Sequence, residues 1–194
     1  MLSVEMKKLK DSLSCCSYNG SQHSNILIKE DDRSAKDKLE VVKLEAPQGD
    51  WFAFSPEKGK KCKCNASFMS PLFSTEKNLH RACDHVIVVR NDNQLVVVYV
   101  ELKSGEKPRG YENQFKSTHQ FMHYLLGLLK EFHGIEFDLS ERYVLFHGGF
   151  SVSLNKKTTT QKNKRVCEST LPDNPYKRLV YKNGKIYLNE FVGF

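Results

Sequence analysis

Three residues near the middle of the chain are of the types, and at the spacing, that build a hydrolytic metal site: Asp84, Glu101 and Lys103. Asp84 opens the run HVIVV, and Glu101-Leu102-Lys103 closes the run LVVVYVELK, with RNDNQ between them. β-branched runs on either side of turn-forming residues predict two strands joined as a hairpin. If Asp92-Asn93 centres the turn, paired residue numbers sum to 185 and Asp84 faces Glu101. Residues opposed in this way project from one face of the sheet with Cβ atoms ~4.5–5.5 Å apart. Two carboxylates that close repel unless a cation lies between them, and Mg²⁺ or Mn²⁺ suits oxygen ligands. Lys103 is two residues from Glu101 on the same strand and shares its face. A register slip of one residue would undo the arrangement.

The chemistry available to such a trio is phosphodiester hydrolysis. The ammonium can orient an attacking water or stabilise charge developing on phosphate. A bound metal can lower the pKa of a water and polarise the phosphoryl oxygen.

Asp84, sixteen residues, then Glu101-Leu102-Lys103 resembles the PD-(D/E)xK signature of the restriction-endonuclease-like nucleases. Cys83 stands where the signature's name puts proline, a position that often varies. The resemblance implies that Asp84 and Glu101 ligate the metal and that Lys103 assists the attacking water. It implies a core of helix, hairpin, helix and strand, which 83–147 is similar to in order. Some branches of the family add a glutamine and a tyrosine on the following helix. Gln114 is the preferred candidate because it lies nearer the strand end, and Gln120 with Tyr124 is the alternative. The family's first helix sometimes supplies another acid, for which Glu40 or Glu45 is available.

The elements that must position these residues are legible in part. From Tyr111 to His133, Phe115, Thr118, His119, Met122, Leu125, Leu126 and Leu129 recur at helical spacing, and Gly134 suits a C-terminal cap. ERYVLFHG predicts a further strand, and RLVYKNGKIYLNEF a closing hairpin turning at Asn183-Gly184. Residues 1–25 are polar and predict a mobile arm or a short helix, ahead of a single domain over 26–194. ILI and WFAF are short apolar pieces, whereas LEVVKLEA fits either a helix capped by Ser34 or a strand. Valine-rich strands without polar alternation predict burial on both faces. The expected fold is α/β, a mixed central β-sheet flanked by helices, of restriction-endonuclease type.

Other signals are weaker. Lys156, Lys157, Lys162, Lys164 and Arg165 form a basic loop that could track a phosphate backbone, and an ordinary solvated loop accounts for it equally well. Lys58, Lys60, Lys61 and Lys63 form a second cluster. His119 and His123, four apart, could present a two-imidazole metal face, though no H-E-x-x-H motif accompanies them. Cys62-x-Cys64 with His80 and Cys83 could bind zinc, but the spacing is unusual and a buried thiol is the simpler account of Cys83. Cys15-Cys16 fits an exposed arm.

Composition bounds the answer. Of 194 residues, 39% are hydrophobic, enough for a core, and the formal net charge of +7 favours polyanionic partners. No apolar run approaches the roughly 20 residues that span a bilayer, which argues against a membrane protein. The six cysteines form no obvious disulfide framework, and the first residues lack the apolar stretch of a signal peptide, so a cytoplasmic location is expected. The expectation is therefore a Mg²⁺- or Mn²⁺-dependent nuclease acting on DNA in preference to RNA. The resemblance extends to small effectors of prokaryotic antiviral defence and leaves room for a homo-oligomer or an activating protein. The alternative is an inactive module of the same fold that binds nucleic acid or protein.

Overall fold

The computed structural model describes residues 1–13, 16–19, 24–29, 39, 41–57, 69, 74, 76–104, 109–148, 170–180 and 186–193. The strands are β1 (Cys16–Asn19), β2 (Asn25–Lys29), β3 (Val41–Glu45), β4 (Trp51–Phe54), β5 (His85–Asn91), β6 (Gln94–Ser104), β7 (Asp138–Gly148), β8 (Tyr176–Val180) and β9 (Ile186–Tyr187). The helices are α1 (Val4–Asp11), α2 (Glu112–His133) and α3 (Asn189–Val192), with a 3₁₀ turn at Lys77–His80.

This is a mixed α/β arrangement. Six strands form one sheet in the order β1-β4-β5-β6-β7-β8, and three form a second in the order β2-β3-β9. In the large sheet β1, β4, β5 and β6 run antiparallel to their neighbours, and β6, β7 and β8 are parallel. The antiparallel half needs only a tight turn, at Asp92-Asn93, where Asp92 adopts a left-handed φ of 51° that an aspartate tolerates. The parallel step from β6 to β7 needs a long crossover, and α2 supplies it.

Strand alternation divides the apolar side chains between two cores. Val86, Val88, Val97, Tyr99, Tyr143 and Leu145 face α2 and pack on its Phe115, Met122, Leu125 and Leu129. Ile87, Val89, Val98, Val100, Val144 and Phe146 face the other way and pack on Ile26, Ile28, Val42 and Leu44. Strands β4, β5 and β6 are buried on both faces, as the valine-rich runs of β5 and β6 predict. Among the described residues, the flanking helices α1 and α2 lie on one face, and only the four-residue α3 packs on the other. The other is covered chiefly by the small sheet, because β2 and β3 each turn one apolar edge inward, with burial alternating along both.

Two open alternatives resolve and one local expectation changes. The N-terminal stretch forms α1, capped by the Ser3 hydroxyl on the Met6 N–H, and buries Met6 and Leu9 completely; Cys16–Asn19 joins the large sheet. LEVVKLEA resolves as strand β3 over Val41–Glu45. Among the described residues the two strands of the expected closing hairpin do not pair with each other, and its turn at Asn183-Gly184 lies outside those residues. β8 pairs with β7 in the large sheet, and β9 pairs with β3 in the small one. Val180, Ile186, Leu188 and Phe191 all enter the core between the sheets, so apolar burial on both sides of the turn signal separates the two strands.

Gly148 ends β7 with φ +125°, where a Cβ would come within 2.7 Å of the Val180 carbonyl oxygen. Backbone cannot yield as a flexible side chain would. Gly148→Ala should therefore destabilise the protein by roughly 1–3 kcal/mol, read as a lowered urea midpoint with unchanged m-value.

Candidate active site

The hairpin keeps the predicted register along its whole length, from His85 opposite Val100 to Asn91 opposite Gln94. Asp84 directly precedes β5, and extending that register sets it against Glu101. Their carboxylates tie the two chains together. The Leu102 N–H donates to Asp84 Oδ2 at 2.7 Å, and the Asp84 N–H donates to Glu101 Oε2 at 3.3 Å. Lys103 Nζ meets Glu101 Oε1 at 2.6 Å. Parity places Asp84, Glu101 and Lys103 on the α2 face of the sheet, with Val86, Val97 and Tyr99.

Glu101 is only 2% exposed. An unpaired carboxylate at that depth would cost several kcal/mol, and the lysine and the Asp84 N–H offset it. The Lys103 side chain is one-quarter exposed, so the ion pair runs from the core to the surface. Cys83, just before Asp84, is anchored to α2 by its N–H, which donates to the Thr118 hydroxyl at 2.9 Å. The helix thus fixes the chain one residue ahead of the first carboxylate.

Gln114 lies one helical turn before Thr118 and shares its side of α2. Its Oε1 is buried without a hydrogen-bond partner. Gln120 is exposed and Tyr124 is 65% exposed, so α2 turns that alternative pair to solvent. Glu45 sits in β3 of the small sheet, away from the hairpin's α2 face. Glu40, the basic residues 156–165, the cluster 58–63 and the cysteines 15, 62 and 64 lie outside the described residues. His80 is engaged with the Met69 N–H and the Ser74 carbonyl.

Two residues join the trio that sequence reasoning does not find. In the parallel β6–β7 register His147 is the partner of Lys103, so both project from the α2 face on neighbouring strands. His147 Nδ1 is buried without a hydrogen-bond partner. On β8, Lys177 pairs with Leu145 and places its ammonium 5.9 Å from the Tyr111 ring centroid at the start of α2. A strand ending in histidine was visible, but nothing in the sequence gives the register of a parallel pair joined by a 22-residue helix.

Comparison with protein-family models, curated proteins and solved structures yields no match. The site therefore stands on its own geometry.

A second polar cluster lies on the same face of the sheet, beneath the middle of α2. Glu141 Oε1 accepts from the Tyr99 hydroxyl at 2.7 Å and lies 3.1 Å from His119 Nδ1 and 3.2 Å from His123 Nε2. The Tyr143 hydroxyl is 2.7 Å from His119 Nδ1. Glu141 pairs with Val97, four residues before Glu101 on β6, which separates the two centres by roughly 13 Å along the strand.

Burial raises the Cys83 thiol well above its ordinary value, reinforced by the charges of Glu101 and Asp84 and opposed by the Thr118 hydrogen bond. Burial likewise raises the Tyr99 phenol, with the Glu141 charge adding to it. Both groups are neutral when protonated, and in the unfolded chain they ionise near about 8.5 and 10. Their contribution is complete below those values and is lost as pH rises above them, since only the unfolded chain then releases the protons. Urea unfolding should show stability falling progressively above about pH 8.5. The thiol's share of that fall should vanish in Cys83→Ala.

Among the described residues, no helix is long and apolar enough to cross a membrane.

Proposed function

We propose that the chain is a divalent-metal-dependent nuclease of restriction-endonuclease type, with Asp84, Glu101 and Lys103 as its catalytic residues. The observation that carries this reading is the reciprocal tie between Asp84 and Glu101, with the Lys103 ammonium 2.6 Å from the buried carboxylate. The donor set fits Mg²⁺ or Mn²⁺, since two carboxylates on facing strands offer hard oxygen ligands. When bound, such an ion would supply a water of lowered pKa and polarise the phosphoryl oxygen.

The chain's own residues do the rest. Lys103 orients the Glu101 carboxylate and presents positive charge toward the solvent side, where a phosphate can meet it. His147 stands beside it on β7, and Lys177 on β8, level with Glu101, adds a positive charge to the same face. Gln114 brings a buried amide oxygen on the same side of α2 as Thr118 and suits the orientation of a water. The net charge of +7 favours a polyanionic substrate, with DNA preferred to RNA on resemblance alone.

One observation favours a second reading, a non-catalytic module of the same fold that binds nucleic acid or protein. Lys103 and the Asp84 N–H already engage both oxygens of Glu101, which suits a structural ion pair as well. Incubating the purified chain with supercoiled plasmid, linear duplex, single strands and RNA tests the two. Cleavage with Mg²⁺ or Mn²⁺ that EDTA abolishes is expected. Retention of labelled nucleic acid with no cleavage in either metal would support the module.

A further inference from the structure

We propose that His119, His123 and Glu141 form a zinc site, separate from the carboxylate pair and independent of the nuclease reading. His119 and His123 are successive turns of one face of α2, with ring centroids 4.2 Å apart, and Glu141 rises from β7 beneath them. One ligand atom from each of the three lies within 4.8 Å of the others. Zn²⁺ bound tetrahedrally at ~2.0–2.1 Å holds its ligand atoms roughly 3.3 Å apart. Two edges of that figure already exist, since Glu141 Oε1 lies 3.1 Å from His119 Nδ1 and 3.2 Å from His123 Nε2. A small rotation of either imidazole closes the third.

The donor chemistry selects the ion. Two imidazoles and a carboxylate suit a borderline cation such as Zn²⁺, whereas Mg²⁺ prefers an all-oxygen set. The surrounding groups hold the ligands in place. The Tyr99 hydroxyl, itself buried, donates to Glu141 Oε1 at 2.7 Å and orients the carboxylate. The Tyr143 ring stacks on Tyr99 at 4.8 Å, and its hydroxyl, 2.7 Å from His119 Nδ1, occupies that nitrogen and must turn aside when a metal takes its lone pair. The cluster is also open to solvent. Side-chain exposure is 23% for His119, 45% for His123 and 19% for Glu141, so an ion can enter without unfolding the helix. Three protein ligands leave a fourth position for water. Bound metal would clip α2 to β7 and stabilise the fold by mass action.

Titration of the full chain with Co²⁺ and Zn²⁺ tests the proposal. Wild type should bind one equivalent at this site, with a cobalt spectrum of nitrogen and oxygen ligands and no thiolate-to-metal charge-transfer band. His123→Ala and Glu141→Gln should each weaken binding by at least about tenfold. The double variant D84N/E101Q should keep the equivalent. Melting in EDTA identifies folded variants, and H123A, at a half-exposed position, carries the test should E141Q fail to fold. Absence of binding to wild type, unchanged affinity in H123A, a thiolate band, or loss of the equivalent in D84N/E101Q would each overturn the proposal.

Discussion

K103M is expected to cleave about 10²–10³-fold more slowly than wild type in saturating Mg²⁺, the typical cost of removing one charge-stabilising donor from a site of this kind. Methionine keeps the unbranched chain and loses only the ammonium. If that ammonium acts in the transition state, kcat and kcat/KM fall together. E101Q should lose more, at least about 10³-fold, because it removes a metal ligand and with it several kcal/mol of charge stabilisation. Each single variant also breaks a buried ion pair, and stranding one partner costs about 3–5 kcal/mol. Stability must therefore be measured beside activity. The double variant E101Q/K103M separates the two roles, since it strands no charge and should regain much of the lost stability. If the trio is catalytic the restored fold stays inactive. Lys130→Met removes an exposed pair with Glu136 and serves as a control within ±0.5 kcal/mol and without effect on rate. Wild-type cleavage by both single variants would sink the assignment.

A loss of stability as large as that from stranding the ion pair is expected from Phe115→Ala. Phe115 is fully buried, and its ring meets Tyr143 edge-on at 5.5 Å and Tyr111 at 6.0 Å. Truncation should cost about 3–5 kcal/mol, a large share of the ~5–15 kcal/mol that a domain of this kind possesses. For a chain of this length that corresponds to a melting temperature lowered by roughly 6–20 °C. Phe132 lies on the same helix but is 72% exposed, and Phe132→Ala should cost less than about 0.5 kcal/mol. A small effect at Phe115 would mean that α2 does not pack on the sheet through this ring. The carboxylate site would feel the change too, because α2 holds Cys83 through Thr118.

How much of this was legible in the sequence depends on how local the cause is. The β5–β6 hairpin has both its register and its turn within one continuous stretch, His85 to Ser104, and short-range pairing rules suffice. Helix α2 is equally local, since its apolar spacing and Gly134 cap mark both face and end. The small sheet was not legible. LEVVKLEA carries period-2 and helical patterns at once, and the choice is made by Ile26 and Ile28 packing from another strand. The parting of β8 from β9 was masked by a strong turn signal that long-range burial overrides. His147 and Glu141 were missed for one reason: each gains its meaning from the parallel β6–β7 register, which no turn encodes. The two-histidine face was visible on α2, but its third member lies 18 residues away on a strand.

The alternation of β6 has a consequence for which changes in length the chain can absorb. Glu101 and Lys103 share one side of the strand, and Leu102 with Val100 shares the other. Removing a single residue between the Asp92-Asn93 turn and Glu101 would exchange those sides. Two charges would then enter the greasy layer over the small sheet, while Leu102 would face the α2 side. Removing two residues would keep the sides and slide Glu101 and Lys103 one step out of line with Asp84 and His147. Valine and isoleucine can be traded along β6 at modest cost, but its residue count cannot drift. Related chains that retain the site should vary in spelling along this strand and agree in length.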